Sequence, residues 1–441
     1  MYFCAMKTPL KNQEQILRKL GIEALNPMQE EATLAIAHAD DVVVLSPTGS
    51  GKTLAFLLPV LAQFDASLQQ VQGLVLVPSR ELAIQIETVA RDMGTGFKVN
   101  AIYGGRPIAK DMEDLKHPPA LLIGTPGRIS DHMKRGTFSK RHLHFLVLDE
   151  FDKSLEIGFA EEMKAILEAV PQIRKRVLTS ATKLEDWPDF LELNKPTLID
   201  YLGEGSSSLE IKRIVSPEKD KLETLGHALR HLGARPGIVF CNYKDSIQRV
   251  SDYLSSQKIS HACFYGGMDQ RDRERSLIKF RNGTHQLLLA TDLAARGIDV
   301  PEIEFIIHYH LPHHEQEFTH RNGRTARMHR EGTAYVLHWQ NEDLPEFIGH
   351  PEEEELQEAA ALQPSEWATV FISGGRRDKI SKGDIAGLFF KQGQLKKGEL
   401  GSIELKVDCA FAAVKRTKLT SMIQLVDNGR IKKRKLRVYE V

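Results

Sequence analysis

Asp41-Val42-Val43-Val44-Leu45-Ser46-Pro47-Thr48-Gly49-Ser50-Gly51-Lys52-Thr53 decides the fold of this 441-residue chain. The run Val42–Leu45 is apolar at every position, which predicts a strand buried on both faces in a parallel sheet. A glycine-rich turn follows and opens a helical stretch. In such a turn Thr48, Gly49, Ser50 and Gly51 leave backbone N–H groups free to point at phosphate oxygens, and the helix N-terminus adds positive potential. Lys52 is placed to reach the β- and γ-phosphates, and the Thr53 hydroxyl to hold Mg²⁺. The expected ligand is a nucleoside triphosphate, ATP, with its magnesium ion. Ser46 stands where the generic pattern has Gly; the GSGKT core is intact.

Working outward, apolar runs at 73–77, 120–123, 145–148 and 176–178 alternate with segments long enough for helices. That rhythm predicts a first α/β domain over residues 1–203. It pauses at the Gly/Ser-rich stretch 204–209, read as a linker. It resumes at 237–240, 262–265, 286–290, 305–308 and 333–338, predicting a second α/β domain over 210–349. An acidic stretch, 350–364, reads as a solvated helix or tether. The last module, 365–441, has the order strand 368–373, helix 382–392, strand 402–407, strand 411–415, helix 419–427, strand 435–439. That β-α-β-β-α-β order fits a small α+β, RNA-recognition-type fold.

A phosphate loop needs a carboxylate at the end of another strand. His144-Phe145-Leu146-Val147-Leu148-Asp149-Glu150 supplies two. Asp149 is the candidate Mg²⁺ ligand, directly or through water, and Glu150 the group that positions and polarises the attacking water. Far along the chain, Arg324 and Arg327 are candidates for stabilising charge on the transferring phosphoryl group.

The formal net charge is zero, but it is unevenly spread. Residues 365–441 hold 17 Lys+Arg against 8 Asp+Glu, a net of +9; the rest hold 42 against 51, a net of −9. A basic module on an acidic body points to a nucleic-acid partner. Cys4, Cys241, Cys263 and Cys409 form no CxxC pair, which argues against a zinc site or a disulfide framework and for a reducing, cytoplasmic setting. No apolar stretch is long enough to span a bilayer, so no membrane role is expected. The opening MYFCAMKTPLKNQ lacks a secretory pattern, and Met6 is a second candidate start.

The ordered motifs over roughly residues 10–340 resemble the DEAD-box family of superfamily 2 helicases, which have two tandem RecA-like P-loop domains. Gly21-Ile22 and Asn26-Pro27-Met28-Gln29 are similar to its adenine-reading motif, with Gln29 the implied reader and Phe3 a candidate for the upstream aromatic. Pro78-Ser79-Arg80-Glu81-Leu82-Ala83, Gly104-Gly105 and Thr125-Pro126-Gly127-Arg128 resemble the RNA-facing motifs of the first domain. Asp149-Glu150-Phe151-Asp152 stands where the family name is written, with Phe151 in place of Ala. Ser180-Ala181-Thr182, Gln270 with Arg273, TDLAARGID at 291–299 and HRNGRTAR at 320–327 complete the set, the last departing at Asn322 and Ala326. The resemblance implies that Asp299 contacts the nucleotide. It also implies that Arg80, Gly105, Thr125, Arg128 and Thr291 lie along an RNA backbone. Such contacts carry no sequence information.

The C-terminal module resembles the RNA-binding domain of DbpA-type helicases, through Ile372 to Arg377, Lys382-Gly383-Asp384-Ile385, Gly401-Ser402-Ile403 and Gly429-Arg430-Ile431-Lys432. That resemblance implies a large-subunit (23S) ribosomal RNA hairpin as partner and a role in ribosome assembly. Arg376, Arg377 and Lys379, with Lys382, form one basic cluster, and 431–437 a second. Phe411 is the single aromatic noted in the stretch 408–414, so standard base stacking is not expected. The implied activity is RNA-dependent ATP hydrolysis with local duplex opening. The same motifs admit an ATP-gated RNA clamp that unwinds little, or a helicase acting on DNA.

Overall fold

The structure, a computed structural model, describes residues 12–183, 187–203, 209–292, 303–325, 332–358, 362–432 and 434–441. Phe3, Asp299, Arg327 and most of the stretch 291–299 lie outside them. The chain divides into two compact units, one built on the first sheet, the other on the second and the C-terminal sheet.

In the first unit, seven described strands pair in parallel: β1 (Asp41–Leu45), β2 (Gly73–Leu76), β3 (Val99–Ile102), β4 (Leu121–Gly124), β5 (Phe145–Leu148), β6 (Lys175–Ser180) and β7 (Thr197–Asp200). Their spatial order is β3-β4-β2-β5-β6-β1-β7. The helices are α1 (Gln13–Leu20), α2 (Pro27–His38), α3 (Lys52–Ala62), α4 (Arg80–Met93), α5 (Ile108–Leu115), α6 (Pro126–Lys134), α7 (Phe151–Glu156) and α8 (Ala160–Glu168). Cores on both faces of the sheet bury β1 completely, which explains its unbroken apolar run. Two strands of this first sheet escaped the sequence reading. Val99–Ile102 contains Asn100 and Ala101, and Thr197–Asp200 is exposed at three of four positions, so neither reads as an apolar run. Phe151 is fully buried and stacks on Trp187 at 6.1 Å between centroids, so the substituted aromatic adds to the core.

The second unit repeats the plan with β8 (Leu209–Ser216), β9 (Gly237–Phe240), β10 (Ala262–Phe264), β11 (Leu287–Ala290), β12 (Phe305–His308), β13 (Gly332–Trp339) and β14 (Glu352–Glu353), in the order β10-β11-β9-β12-β13-β8-β14. Its helices are α9 (Leu222–Leu232), α10 (Lys244–Ser256), α11 (Gln270–Arg281) and α12 (Glu315–Asn322). Here the acidic tether is corrected. Glu352 and Glu353 pair in parallel with Lys212 and Arg213 on β8. Glu354 lies 2.8 Å from Lys212 Nζ and accepts from His231 Nε2 at 2.9 Å. The run complements cations that are remote in sequence and covers a strand edge that would otherwise be unpaired.

The same unit carries β15 (Trp367–Ile372), α13 (Lys382–Lys391), β16 (Leu400–Leu405), β17 (Ala410–Lys415), α14 (Leu419–Val426), a hairpin of β18 (Arg430–Ile431) and β19 (Arg434–Lys435), and β20 (Val438–Glu440). The antiparallel order β16-β17-β15-β20, with both helices on one face, is the predicted β-α-β-β-α-β arrangement. Ser381 caps α13 through a reciprocal box with Asp384. Among the described residues no helix is long and apolar enough to cross a membrane.

Candidate functional site

The phosphate loop leaves β1 and enters α3 through two left-handed glycines, Gly49 at φ 85° and Gly51 at φ 89°. A Cβ on Gly51 would collide with the Gln29 amide. Asn26 and Gln29 cap α2 reciprocally, and Pro27 begins the helix. Gln29 Nε2 then donates to the Gly51 carbonyl at 3.1 Å, and Asn26 Nδ2 to Ser50 at 3.0 Å. The capping box therefore fixes Gln29 against the loop. Thr48 and Thr53 are part-exposed on the loop and its helix. Lys52 is buried, and its Nζ donates to the carbonyls of Ser46 (2.5 Å) and Pro47 (2.8 Å). Burial pulls its pKa down to about 8, against the opposing pull of Asp149 and Glu150.

Asp149 and Glu150 are both buried at the end of β5. Burial, then the neighbouring Glu150 charge, pushes Asp149 up to about 6, although Thr179 Oγ1 donates to its Oδ1. Glu150 adopts φ 49°, a left-handed conformation that a non-glycine residue holds only under constraint. Its Oε1 lies 3.2 Å from the fully buried Lys153 Nζ. Asp152 accepts from Thr182 Oγ1 at 2.8 Å, which joins the DEFD turn to the Ser180-Ala181-Thr182 segment. Ser50 Oγ is buried with no hydrogen-bond partner among the described residues. A glycine turn opening a helix, in which the Ser50 N–H donates to the Pro47 carbonyl at 3.4 Å, a hydroxyl awaiting an acceptor, an ammonium and a carboxylate whose ionisation burial opposes suit a triphosphate with a divalent cation.

The RNA-facing candidates of the first unit cluster around a residue the sequence reading passed over. Asp111, on α5, is fully buried. Arg128 Nε donates to its Oδ2 at 2.8 Å, Arg106 Nε lies 3.2 Å from its Oδ1, and His132 Nε2 lies 3.2 Å from Oδ2. Arg128 also donates to the Arg106 carbonyl at 2.6 Å. Gly105, at φ 85°, lies so close to the Arg80 guanidinium that an added Cβ would fall 2.5 Å from it. Thr125 caps α6 beside Pro126. The structure thus brings Arg80, first residue of α4, against Gly105, and Arg128, in the first turn of α6 after Thr125, against the neighbouring Arg106. Asp111 carries no motif signal, because its partners, two arginines and a histidine, come from α6 and from the turn before α5.

In the second unit Thr291 follows β11, its N–H donating to Phe264 at 3.4 Å. Arg324 is buried just after α12. Arg321, unassigned in the sequence reading, is the hub there. It pairs with Asp292 through both nitrogens at 2.6 and 2.5 Å, and donates to Asn242 and to the His310 carbonyl at 2.8 Å each. His308 donates to Asn322 at 2.9 Å; burial, then the Arg321 charge, lowers its pKa to about 3, so it stays neutral. Asp299 and Arg327 are outside the described residues. Arg376, Arg377 and Lys379 are exposed at one edge of the C-terminal sheet, Arg377 3.1 Å from Asp408. The hairpin closes on them through Lys432 and Arg434, which pair with Asp384 and Asp378. Phe411, the one aromatic of 408–414, contacts Phe371, which contacts Tyr439, in a trio across β17, β15 and β20. Phe371 and Tyr439 lie far from Phe411 in sequence, and only strand pairing unites them.

Three family models match along the chain: the DEAD/DEAH box helicase over residues 26–188, the helicase conserved C-terminal domain over 220–329, and the DbpA RNA binding domain over 369–440. The chain belongs to the DEAD-box ATP-dependent RNA helicases, enzymes that hydrolyse ATP. Its similarity extends over all three segments to ATP-dependent RNA helicase DbpA of Escherichia coli, 32% identical over 96% of this chain and 95% of the relative. The Bacillus subtilis protein of that name is 29% identical over 96% of both. In fold the chain is similar to yeast Dbp5 bound to RNA and ADP BeF3, with TM-score 0.65, 22% identity, and 76% of this chain and 88% of that one covered. It is likewise similar to Mss116p bound to ssRNA and AMP-PNP, with TM-score 0.68, 23% identity, and 75% and 73% covered.

Proposed function

We propose that this helicase is directed by its C-terminal domain to large-subunit (23S) ribosomal RNA and remodels it during ribosome assembly in the cytoplasm. The match of residues 369–440 to the DbpA RNA binding domain carries this reading. The exposed cluster Arg376, Arg377, Lys379 and Lys382, beside the basic hairpin, supplies phosphate contacts. The two α/β domains, 1–203 and 210–349, form the motor; 365–441 is the address.

At the nucleotide, Gln29 reads the base and the amides of Thr48 to Gly51 cradle the phosphates. Lys52 exchanges the Ser46 and Pro47 carbonyls for phosphate oxygens. Thr53 and Asp149 would hold Mg²⁺, which when bound neutralises charge on the phosphate oxygens. Glu150, kept beside Lys153, orients the attacking water and accepts its proton. Arg324 and Arg327 offset charge on the transferring group, and Asp299 contacts the nucleotide. Arg80, Gly105, Thr125, Arg128 and Thr291 follow the RNA backbone.

The test has two arms. ATP turnover by the purified full chain is measured without RNA, with oligo(U) and with large-subunit ribosomal RNA; ribosomal RNA is expected to stimulate most. Glu150→Gln is expected to hold ATP and RNA together without turnover. Equal stimulation by every RNA would overturn the ribosomal address, and no stimulation would overturn the RNA-dependent motor. Crosslinking in cells, with Arg376, Arg377, Lys379 and Lys382 changed to Gln, locates the address: one dominant ribosomal site should be lost.

A further inference from the structure

Side chains alternate along β15. Ala368, Val370 and Ile372 enter the C-terminal core, so Trp367, Thr369 and Phe371 take the opposite face. On β17, Ala410, Ala412 and Val414 enter the core and Phe411 shares the outer face with Phe371. Phe371 and Phe411 are 5.5 Å apart, edge to face, and Phe371 and Tyr439 5.0 Å apart. In RNA-recognition folds this open face is where bases stack on aromatics.

Here the Phe411 side of the face is taken, while Tyr439 at its other end is 42% exposed. Phe411 is only 5% exposed although it points away from its own core. The element against the face is α11 of the second α/β domain. Arg281 Nε lies 2.8 Å from Glu404, the register partner of Phe411, and Glu274 lies 2.7 Å from Lys406 Nζ. Just past the end of α11, next to the Arg281 pair, lies a buried polar seam. Asn282 Nδ2 donates to Thr369 Oγ1 at 3.2 Å, Thr284 and Thr369 share a hydroxyl hydrogen bond at 2.7 Å, and Ser402 Oγ donates to Asn282 Oδ1. Ser365 Oγ donates to the Gly283 carbonyl. Thr369, Asn282 and Thr284 are all buried, and each has a partner across the seam. Buried polar groups matched in this way fix one arrangement, because any shift strands them without water.

We infer that the side of this sheet face that carries Thr369 and Phe411 is a docking surface for α11 and the seam after it, and is not a base-stacking platform. The docked domain and the second α/β domain then move as one body. RNA is left the basic edge at Arg376, Arg377, Lys379 and Lys382. Helix α11 starts at Gln270, carries Arg273 in its first turn, the pair matching a family motif, and ends in the seat of the address domain. One helix of about three turns thus sets the direction in which RNA held by the edge meets the motor. The docking rests on geometry alone; its consequence for RNA rests on the function proposed above.

The experiment locks the seam in the full-length chain. Thr284→Cys and Thr369→Cys together are expected to form a reducible crosslink under mild oxidation, while either alone is not. Asn282→Cys with Ser402→Cys is a second pair, should the first fold poorly. Failure of both folded pairs to crosslink, with their thiols open to labelling, would overturn the docking. The locked protein is then titrated with labelled oligo(U) and with a large-subunit ribosomal RNA transcript, with and without reductant. Unchanged affinity supports the inference. A loss of about tenfold or more, recovered on reduction, is the scale of one base–aromatic stack and would overturn it. If the unlocked parent shows no RNA-stimulated ATPase, the proposed function fails while the crosslink result still stands.

Discussion

Arg128 Nε lies 2.8 Å from the buried carboxylate of Asp111, which also faces Arg106 at 3.2 Å. A guanidinium read from its motif as an RNA contact is thus held in place by an acid outside every motif. Asp111→Asn keeps the shape but loses the charge that aligns two arginines. It is expected to raise the RNA concentration for half-maximal ATPase several-fold, with maximal turnover and ATP affinity nearly unchanged. Asp111→Leu leaves both arginines and His132 facing an apolar group. It is expected to cost about 3–5 kcal/mol of stability, read by thermal melting.

Asp149 has a folded pKa of about 6 against an ordinary 3.8. A carboxyl raised in this way adds stability that is full below 3.8 and is lost as pH rises through about 6. Ionised at neutral pH, it burdens the nucleotide-free fold by roughly 2–3 kcal/mol. Asp149→Asn keeps an acceptor for Thr179 and removes that burden. The variant is expected to melt higher than the parent at neutral pH, with the gap closing in acid, and to be inactive. A gap that widens in acid would contradict the assignment.

Gly51 combines φ 89° with the Gln29 amide in the space a Cβ would take. Gly51→Ala is expected to cost about 1–2 kcal/mol from backbone conformation alone. It also displaces Gln29, so the KM for ATP should rise tenfold or more. Competition between ATP and GTP measures this: weakened base discrimination would follow if Gln29 reads the base.

Arg321 is 1% exposed and binds Asp292, Asn242 and the His310 carbonyl together. Its planar fork makes this geometry, and an ammonium cannot. Arg321→Lys is expected to destabilise the second α/β domain by about 1–3 kcal/mol, and Arg321→Ala by about 3–5 kcal/mol through the stranded Asp292. Hydrogen exchange should localise the loss to β9, β12 and α12, leaving the first unit unaffected.

Much was legible in the residues alone. Val42 to Thr53 announced the strand, turn and helix of a phosphate loop because its chemistry is local: glycine dihedrals, helix amides and a lysine within a few residues. The same holds for Asp149 and Glu150 at a strand end. Buried parallel strands declare themselves as apolar runs, whereas β3 and β7 break that pattern and stayed hidden.

What tertiary structure alone decided is who meets whom across the chain. Asp111 gathers two arginines and a histidine, the acidic run pairs with Lys212 and His231, Phe371 and Tyr439 join Phe411, and Thr369 meets Asn282 and Thr284. Apart from Asp111 with Arg106, these partnerships span from 17 to over a hundred positions. Hydrogen bonds and ion pairs of this kind depend on angstrom-scale distances that no local pattern encodes. The residues therefore specified the chemistry available to this helicase, and the packing of sheets and helices determined which groups are held, covered or left to face RNA.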